Sequence, residues 1–176
     1  MANAQVVMSD MRMSINRVEK AAPIIRQLMN GGEIKTVEGD DNEICKLLDV
    51  TCGTDYLQVY KELGLVQGVA SRVQVIKDGF RPFNTFTVRK ARDSGAVTEY
   101  EKRQYAIRHG GIYPYLTMQM YVGEDERVLS VGIAKTTDIM DFVEKGYAKE
   151  NHTGREQIGQ AAFFCVQVVR YERPRI

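Results

Sequence analysis

Residues 52–92 read CGTDYLQVYKELGLVQGVASRVQVIKDGFRPFNTFTVRKAR, and this stretch decides the fold. It holds three β-patterned runs, each closed by a turn signal. Thr54 to Lys61 carries Tyr56, Leu57, Val59 and Tyr60, and Gly64 marks the turn after it. Gly68 to Lys77 alternates, with Val69, Val73 and Val75 to one side and Arg72 and Gln74 to the other. Lys77-Asp78-Gly79 is a second turn signal, closed by Pro82. Phe83 to Arg92 alternates again, with Phe86 and Val88 against Thr85, Thr87 and Arg89.

A hairpin centred on Gly64-Leu65 sets Asp55 opposite Gln74 and Leu57 opposite Arg72. Opposed residues share a face of the sheet. A second turn near Gly79 sets Gln74 opposite Thr85, Arg72 opposite Thr87 and Ala70 opposite Arg89. One face then collects Asp55, Arg72, Gln74, Thr85, Thr87 and Arg89, and the valines and Phe86 form the other, core face. An antiparallel sheet often turns a polar face to water. Here the polar residues are Arg, Gln and Thr rather than Lys and Glu, which suits short or bidentate hydrogen bonds.

Outward from this stretch the pattern turns helical. Met11 to Met29 has apolar residues at Met11, Ile15, Val18, Ala21, Ala22, Ile25 and Leu28, which predicts a helix capped by Ser9 or Asp10. Pro23 is expected to bend or divide it, and Asn30-Gly31-Gly32 to stop it. Glu33 to Asp41 reads as a loop or short edge strand, and Asn42 as the cap of a short helix, Glu43 to Leu48. Thr98 caps a helix to His109, with Glu99 and Glu101 in its first turn and Gly110-Gly111 after it. Strands follow at Tyr113 to Val122 and Glu126 to Ala134, then a helix at Thr137 to Lys145. A long apolar strand, Ala161 to Tyr171, comes last. The order predicts an α+β fold, one domain over residues 1–176, with a central mixed β-sheet flanked by helices.

The 176 residues carry 24 Lys plus Arg and 23 Asp plus Glu, a formal net charge of +1. This excludes a bulk polyelectrolyte binder but not a local basic groove. Cys45, Cys52 and Cys165 are odd in number and widely spaced, which argues against a disulfide framework and for a reducing, cytoplasmic setting. Two histidines and no Cys-x-x-Cys argue against a structural zinc site. No stretch is long and apolar enough for a membrane span, and the N-terminus has no secretory pattern, so no membrane partner is expected. The charge is uneven along the chain. Glu33 to Glu62 holds eight acidic residues and three basic ones, whereas Arg81 to Arg108 holds seven basic and three acidic. Acid beside base suits a metal-dependent phosphodiesterase, in which carboxylates hold the cation and Arg or Lys the phosphates.

On these residues the chain resembles the PD-(D/E)XK nuclease superfamily. A helix precedes an Asp-bearing strand, a strand with polar residues follows, and then come a third strand, a helix and a fourth strand. Leu47 to Leu57, with Gly53-Thr54-Asp55, resembles the Gly-x-Asp entry to the metal-binding strand of that family. Ala70 to Lys77 would match the next strand, with Gln74 where the family usually has its second acid. The resemblance implies a restriction-endonuclease-like core with Mg²⁺, or Mn²⁺ as substitute, on Asp55 and Glu43. Gln74 would orient the metal-bound water, and Lys77, Lys90 or Lys102 would stabilise the phosphorane. Arg72, Thr87, Arg89, Arg92, Lys102 and Arg103 would contact nucleic acid, DNA ahead of RNA. The departures are two: Gln74 brings no charge to a cation, and Lys77 lies three residues on rather than two, on the wrong face of a regular strand.

The expected function is therefore a metal-dependent nuclease, and the small size and nuclease-like order suggest a phage or mobile-element source. The alternative is a non-catalytic module that binds nucleic acid or protein on a similar frame. A third reading is an assembly subunit, a homo-oligomer paired through the final strand, Ala161 to Val169. Tyr113, Tyr115 and Tyr121 could stack bases, although packing on the core is the readier role for strand aromatics. Thr117 and Gln119 extend the polar face. His109 reads as a helix cap, and His152 as a polar-loop residue.

Overall fold

The structure, a computed structural model, describes residues 4–37, 40, 42–92, 95–155 and 159–167. The opening helix, α1, runs Ala4–Leu28. It begins earlier than the sequence pattern predicts, so Ser9 and Asp10 lie inside it rather than at its cap. It also passes Pro23 undivided. Val18, Ala21 and Ile25 recur at helical spacing and are buried, while Pro23 and Ile24 face outward. The chain leaves α1 through Asn30, Gly31 and Gly32, all at positive φ. Gly32 is needed there for space as well, because a Cβ would sit 3.1 Å from the Gln58 side chain.

A short edge strand, β1 (Glu33–Thr36), follows. Next come the capped turn α2 (Glu43–Leu47), a π-helical turn over Leu48–Cys52, and β2 (Tyr56–Tyr60). A 3₁₀ turn, Lys61–Leu63, leads to β3 (Leu65–Ile76), and β4 spans Thr85–Arg92. Helix α3 is Glu99–His109, with Thr98 and Glu101 in a reciprocal capping box. The remainder is β5 (Leu116–Gly123), β6 (Val128–Lys135), α4 (Thr136–Glu144), β7 (Lys149–Arg155) and β8 (Gly159–Gln167). The fold is α+β with a mixed sheet and four helices, as the element order predicts.

Five strands form that mixed sheet, in the order β1-β2-β3-β5-β6. β3 and β5 run parallel and the other pairs antiparallel. A parallel pair needs a crossover rather than a tight turn. Here β4 and α3 supply it. This corrects the predicted β3–β4 hairpin: β4 leaves the five-stranded sheet and joins a second one, β4-β8-β7.

The first hairpin also differs in register. Tyr60 pairs directly with Leu65 and Tyr56 with Val69, because residues 61–64 close the loop through the 3₁₀ turn and Gly64 at φ 58°. Asp55 therefore sits beside Val69 and Ala70, donating its amide to the Val69 carbonyl, and not opposite Gln74. The slip along β3 is four residues. An even slip keeps each side chain on its predicted face.

The final strand is corrected as well. β8 has β4 on one edge and β7 on the other, so both edges are hydrogen-bonded within the chain. Over residues 161–165 both edges are thus used within the chain, so the described strand lies inside a sheet rather than at its edge. Residues 168–171 of the predicted strand lie outside the described residues. His152 belongs to β7, opposite Ala162, rather than to a loop.

Two apolar cores result. Val18, Ala21, Ile25 and Met29 pack on Tyr56, Val69, Met118, Met120 and Val122 of the five-stranded sheet. Phe86, Val88 and Val166 pack with Ile139 and Val143 of α4. Burying each large aliphatic side chain is worth about 1.5–3 kcal/mol relative to exposure. No described helix is long and apolar enough to cross a membrane.

Candidate functional site: an arginine-rich layer between the sheets

The polar face is only partly solvated: Asp55, Arg72, Gln74, Thr85, Thr87 and Arg89 are all half-buried. It is covered by the second sheet, and its side chains complete the main-chain bonding of β4. β4 has β8 on one edge only. On the other, the Gln119 Oε1 accepts from the Thr87 amide (3.3 Å) and from the Thr87 hydroxyl (3.0 Å). The Tyr121 hydroxyl donates to the Thr85 carbonyl at 2.8 Å. The Arg89 amide donates to Glu99 Oε2 at 3.5 Å. An unpaired strand edge is a liability, and buried main-chain groups need partners. Strand β5 and helix α3 supply those partners through side chains.

Beside this edge lies a charged cluster. Arg72, from β3, donates to Glu99 Oε1 at 2.5 Å. Arg103, one turn further along α3, is 5% exposed, and Glu99 and Asp55 both act on its charge. Arg72 and Arg89 both sit over the ring of Phe163 from β8, at 5.0 and 5.7 Å from its centroid. Burial alone would raise the Glu99 pKa, but Arg72, Arg103 and Arg89 overcome it and hold the carboxyl at about 2. Burial pushes the Arg89 guanidinium below its ordinary value, and Arg72 adds to this by repulsion. Burial likewise raises Tyr121 and Cys165. The layer thus holds three guanidiniums against two carboxylates. Among the described residues, the buried donors Arg89 Nε and Arg103 Nε in this layer and Gln119 Nε2 beside it have no hydrogen-bond partner.

The residues picked out by sequence divide accordingly. Arg72, Thr87, Arg89 and Arg103 come together here. Asp55 borders them, its carboxylate accepting from the Ser71 amide at 2.5 Å. Gln74 is half-buried in β3 beside Tyr121. Lys77 is exposed in the turn after β3, and Glu43 is exposed in the first turn of α2. Lys90 turns to the other face of β4, onto the ring of Phe164 and into an ion pair with Glu150. Lys102 donates to the Val50 carbonyl, and Arg92 is exposed at the end of β4. Thr117, expected to extend the polar face, is bonded to Thr136 at the start of α4. His109 accepts its predicted place at the end of α3, its ring meeting the Tyr105 carbonyl at 2.8 Å. Tyr121 is buried, as a core-packing aromatic should be, and Tyr115 is exposed with Lys135 near its ring.

Sequence reasoning missed Glu99 and Phe163. Glu99 reads locally as a first-turn acid of α3, and nothing nearby in the chain announces Arg72 as its partner. Phe163 reads as one of a run of apolar strand residues.

Among the described residues no group of three or more His, Cys, Asp or Glu side chains is placed to hold a metal ion. The chemistry around Asp55 runs the same way. Its carboxylate is engaged by an amide, its neighbour across the layer is a guanidinium, and Gln74 adds no charge. The donor set does not suit Mg²⁺, which favours charged oxygen ligands. No protein-family model, curated protein or solved structure matches the chain.

Proposed function

We propose that the chain is a non-catalytic nucleic-acid-binding module that holds phosphate through the arginine layer. One observation carries this reading: among the described residues Arg72, Arg89 and Arg103 converge on two carboxylates, and the buried Nε atoms of Arg89 and Arg103 have no hydrogen-bond partner. Guanidinium is the side chain best matched to a phosphate oxygen pair. Arg72 keeps 21% of its side-chain exposure, so the layer reaches solvent, and Arg92 stands exposed on the same strand as Arg89. The basic balance of Arg81 to Arg108 supports the same reading. So does the frame, in which an Asp-led hairpin crosses through a helix to a parallel strand, similar to the core order of the nuclease superfamily.

Fluorescence anisotropy with labelled single-stranded and duplex DNA and RNA, over a series of salt concentrations, tests it. Two or three phosphate contacts give a slope of about −2 in log K against log salt. Arg92→Ala, an exposed change, should make that slope shallower by about one contact. Salt-independent binding would overturn the reading. Cleavage that needs Mg²⁺ or Mn²⁺ and is lost in Asp55→Ala would put a nuclease in its place.

A further inference from the structure

A cleft of about 120 Å³ opens beside the layer, lined by Phe83, Thr85, Phe86, Gln119, Tyr121 and Ser130 among others. One water needs about 10–15 Å³ of such space, so the cleft has room for a small ring and little more. Its walls are aromatic. Phe83 is 56% exposed and meets Tyr121 edge-on, with ring centroids 6.3 Å apart. Gln119, which lines the cleft, carries an unmatched donor beneath its surface. The Thr87 amide can only donate, so it fixes the Gln119 carboxamide with oxygen toward β4 and Nε2 turned away. That Nε2 belongs to a side chain 2% exposed and has no partner among the described residues. A buried amide donor without a partner is costly, and a ligand acceptor would recover that cost. On the next strand Ser130, the ladder partner of Tyr121, adds a hydroxyl.

We infer that this cleft takes an unpaired single-ring nucleobase, stacked on Phe83 with a ring carbonyl accepting from Gln119 Nε2. The inference rests on the nucleic-acid reading and narrows it to single strands, since a paired base presents neither its faces nor its edge to such a cleft. The spacing agrees. Arg89 stands two residues from Thr87 on β4, about 7 Å along the strand. A base held in the cleft therefore leaves its phosphates beside the arginine layer.

Two probes separate this inference from the phosphate reading. The first is a short oligothymidylate beside an abasic strand of the same length, both measured by anisotropy. The second is thymidine, which has no phosphate, followed by saturation-transfer NMR. Oligothymidylate should bind more tightly than the abasic strand. Phe83→Ala should remove about 5- to 150-fold of that advantage, the usual worth of one stacked base. Thymidine should receive saturation from the wild type and not from Phe83→Ala. Gln119→Glu keeps the acceptor for Thr87 and loses the donor, so it should also lose thymidine.

Equal, salt-sensitive binding of both strands with no thymidine signal would overturn the base cleft and leave the phosphate reading standing. A base preference unchanged in Phe83→Ala would overturn it too. A thymidine signal that depends on Phe83, with neither strand bound, would keep the cleft and sink the phosphate reading.

Discussion

On one face of the five-stranded sheet, Met118, Met120 and Val122 of β5 meet Val18, Ala21 and Ile25 of α1. On the other, Thr117, Gln119 and Tyr121 of the same strand meet α4 and β4 through hydrogen bonds. Both faces are buried, so the second is not polar because water touches it. It is polar because it meets the unpaired main-chain edge of another sheet. An apolar face is satisfied by any well-fitting apolar surface, whereas this one is satisfied only by donors and acceptors at fixed places. The two faces should therefore fail differently when altered: one through lost volume, the other through lost partners.

The largest effect is expected on the apolar face. Met120 is fully buried against α1. Met120→Ala should cost about 2–5 kcal/mol, the range for deleting a long core side chain, and lower the urea midpoint with the m-value unchanged. This cost should be nearly independent of pH.

Next comes Glu99. Its carboxyl titrates at about 2 in the fold, against an ordinary 4.5. A depressed pKa stabilises the folded state above the ordinary value, and that stability is lost as pH falls from about 5 toward 2. Glu99→Gln should therefore destabilise by about 3 kcal/mol near pH 7 and by almost nothing near pH 2. Urea melts of both proteins across that range read the difference directly. A gap that stays constant with pH would place the charge of Glu99 outside the fold's energetics.

The smallest effect should come from Gln119→Leu. It keeps the volume and removes the acceptor of the Thr87 amide, for about 1–3 kcal/mol. Amide hydrogen exchange should locate the damage in β4, with the Thr87 amide losing protection and β5 keeping it. Loss spread evenly over both sheets would mean that the two faces do not fail separately.

Local signals carried much of this. The alternation of β3 and β4 separated their polar from their apolar side chains, and an even register slip left that division intact. Thr98 with Glu101 announced the start of α3, and Asn30-Gly31-Gly32 the end of α1. What stayed hidden was partnership. Arg72 and Glu99 are 27 residues apart, and Thr87 and Gln119 are 32 apart. The candidate site was legible as a set of residue types, with Arg72, Thr87, Arg89 and Arg103 all named. Its charge partner and its aromatic support were not.

By itself, then, the sequence determined most of the strands and helices, β7 and the start of α1 excepted, and which sides of β3 and β4 would be polar, because both follow from periods of two and 3.6 residues. Only the tertiary structure decided where each strand went. β4 carries the same alternation whether it pairs with β3 or with β8, since a period of two specifies faces and not neighbours. Its departure to β8 covered much of the polar face with a second sheet, leaving a half-buried layer of arginines, and made an apolar final strand the middle of a sheet rather than an edge.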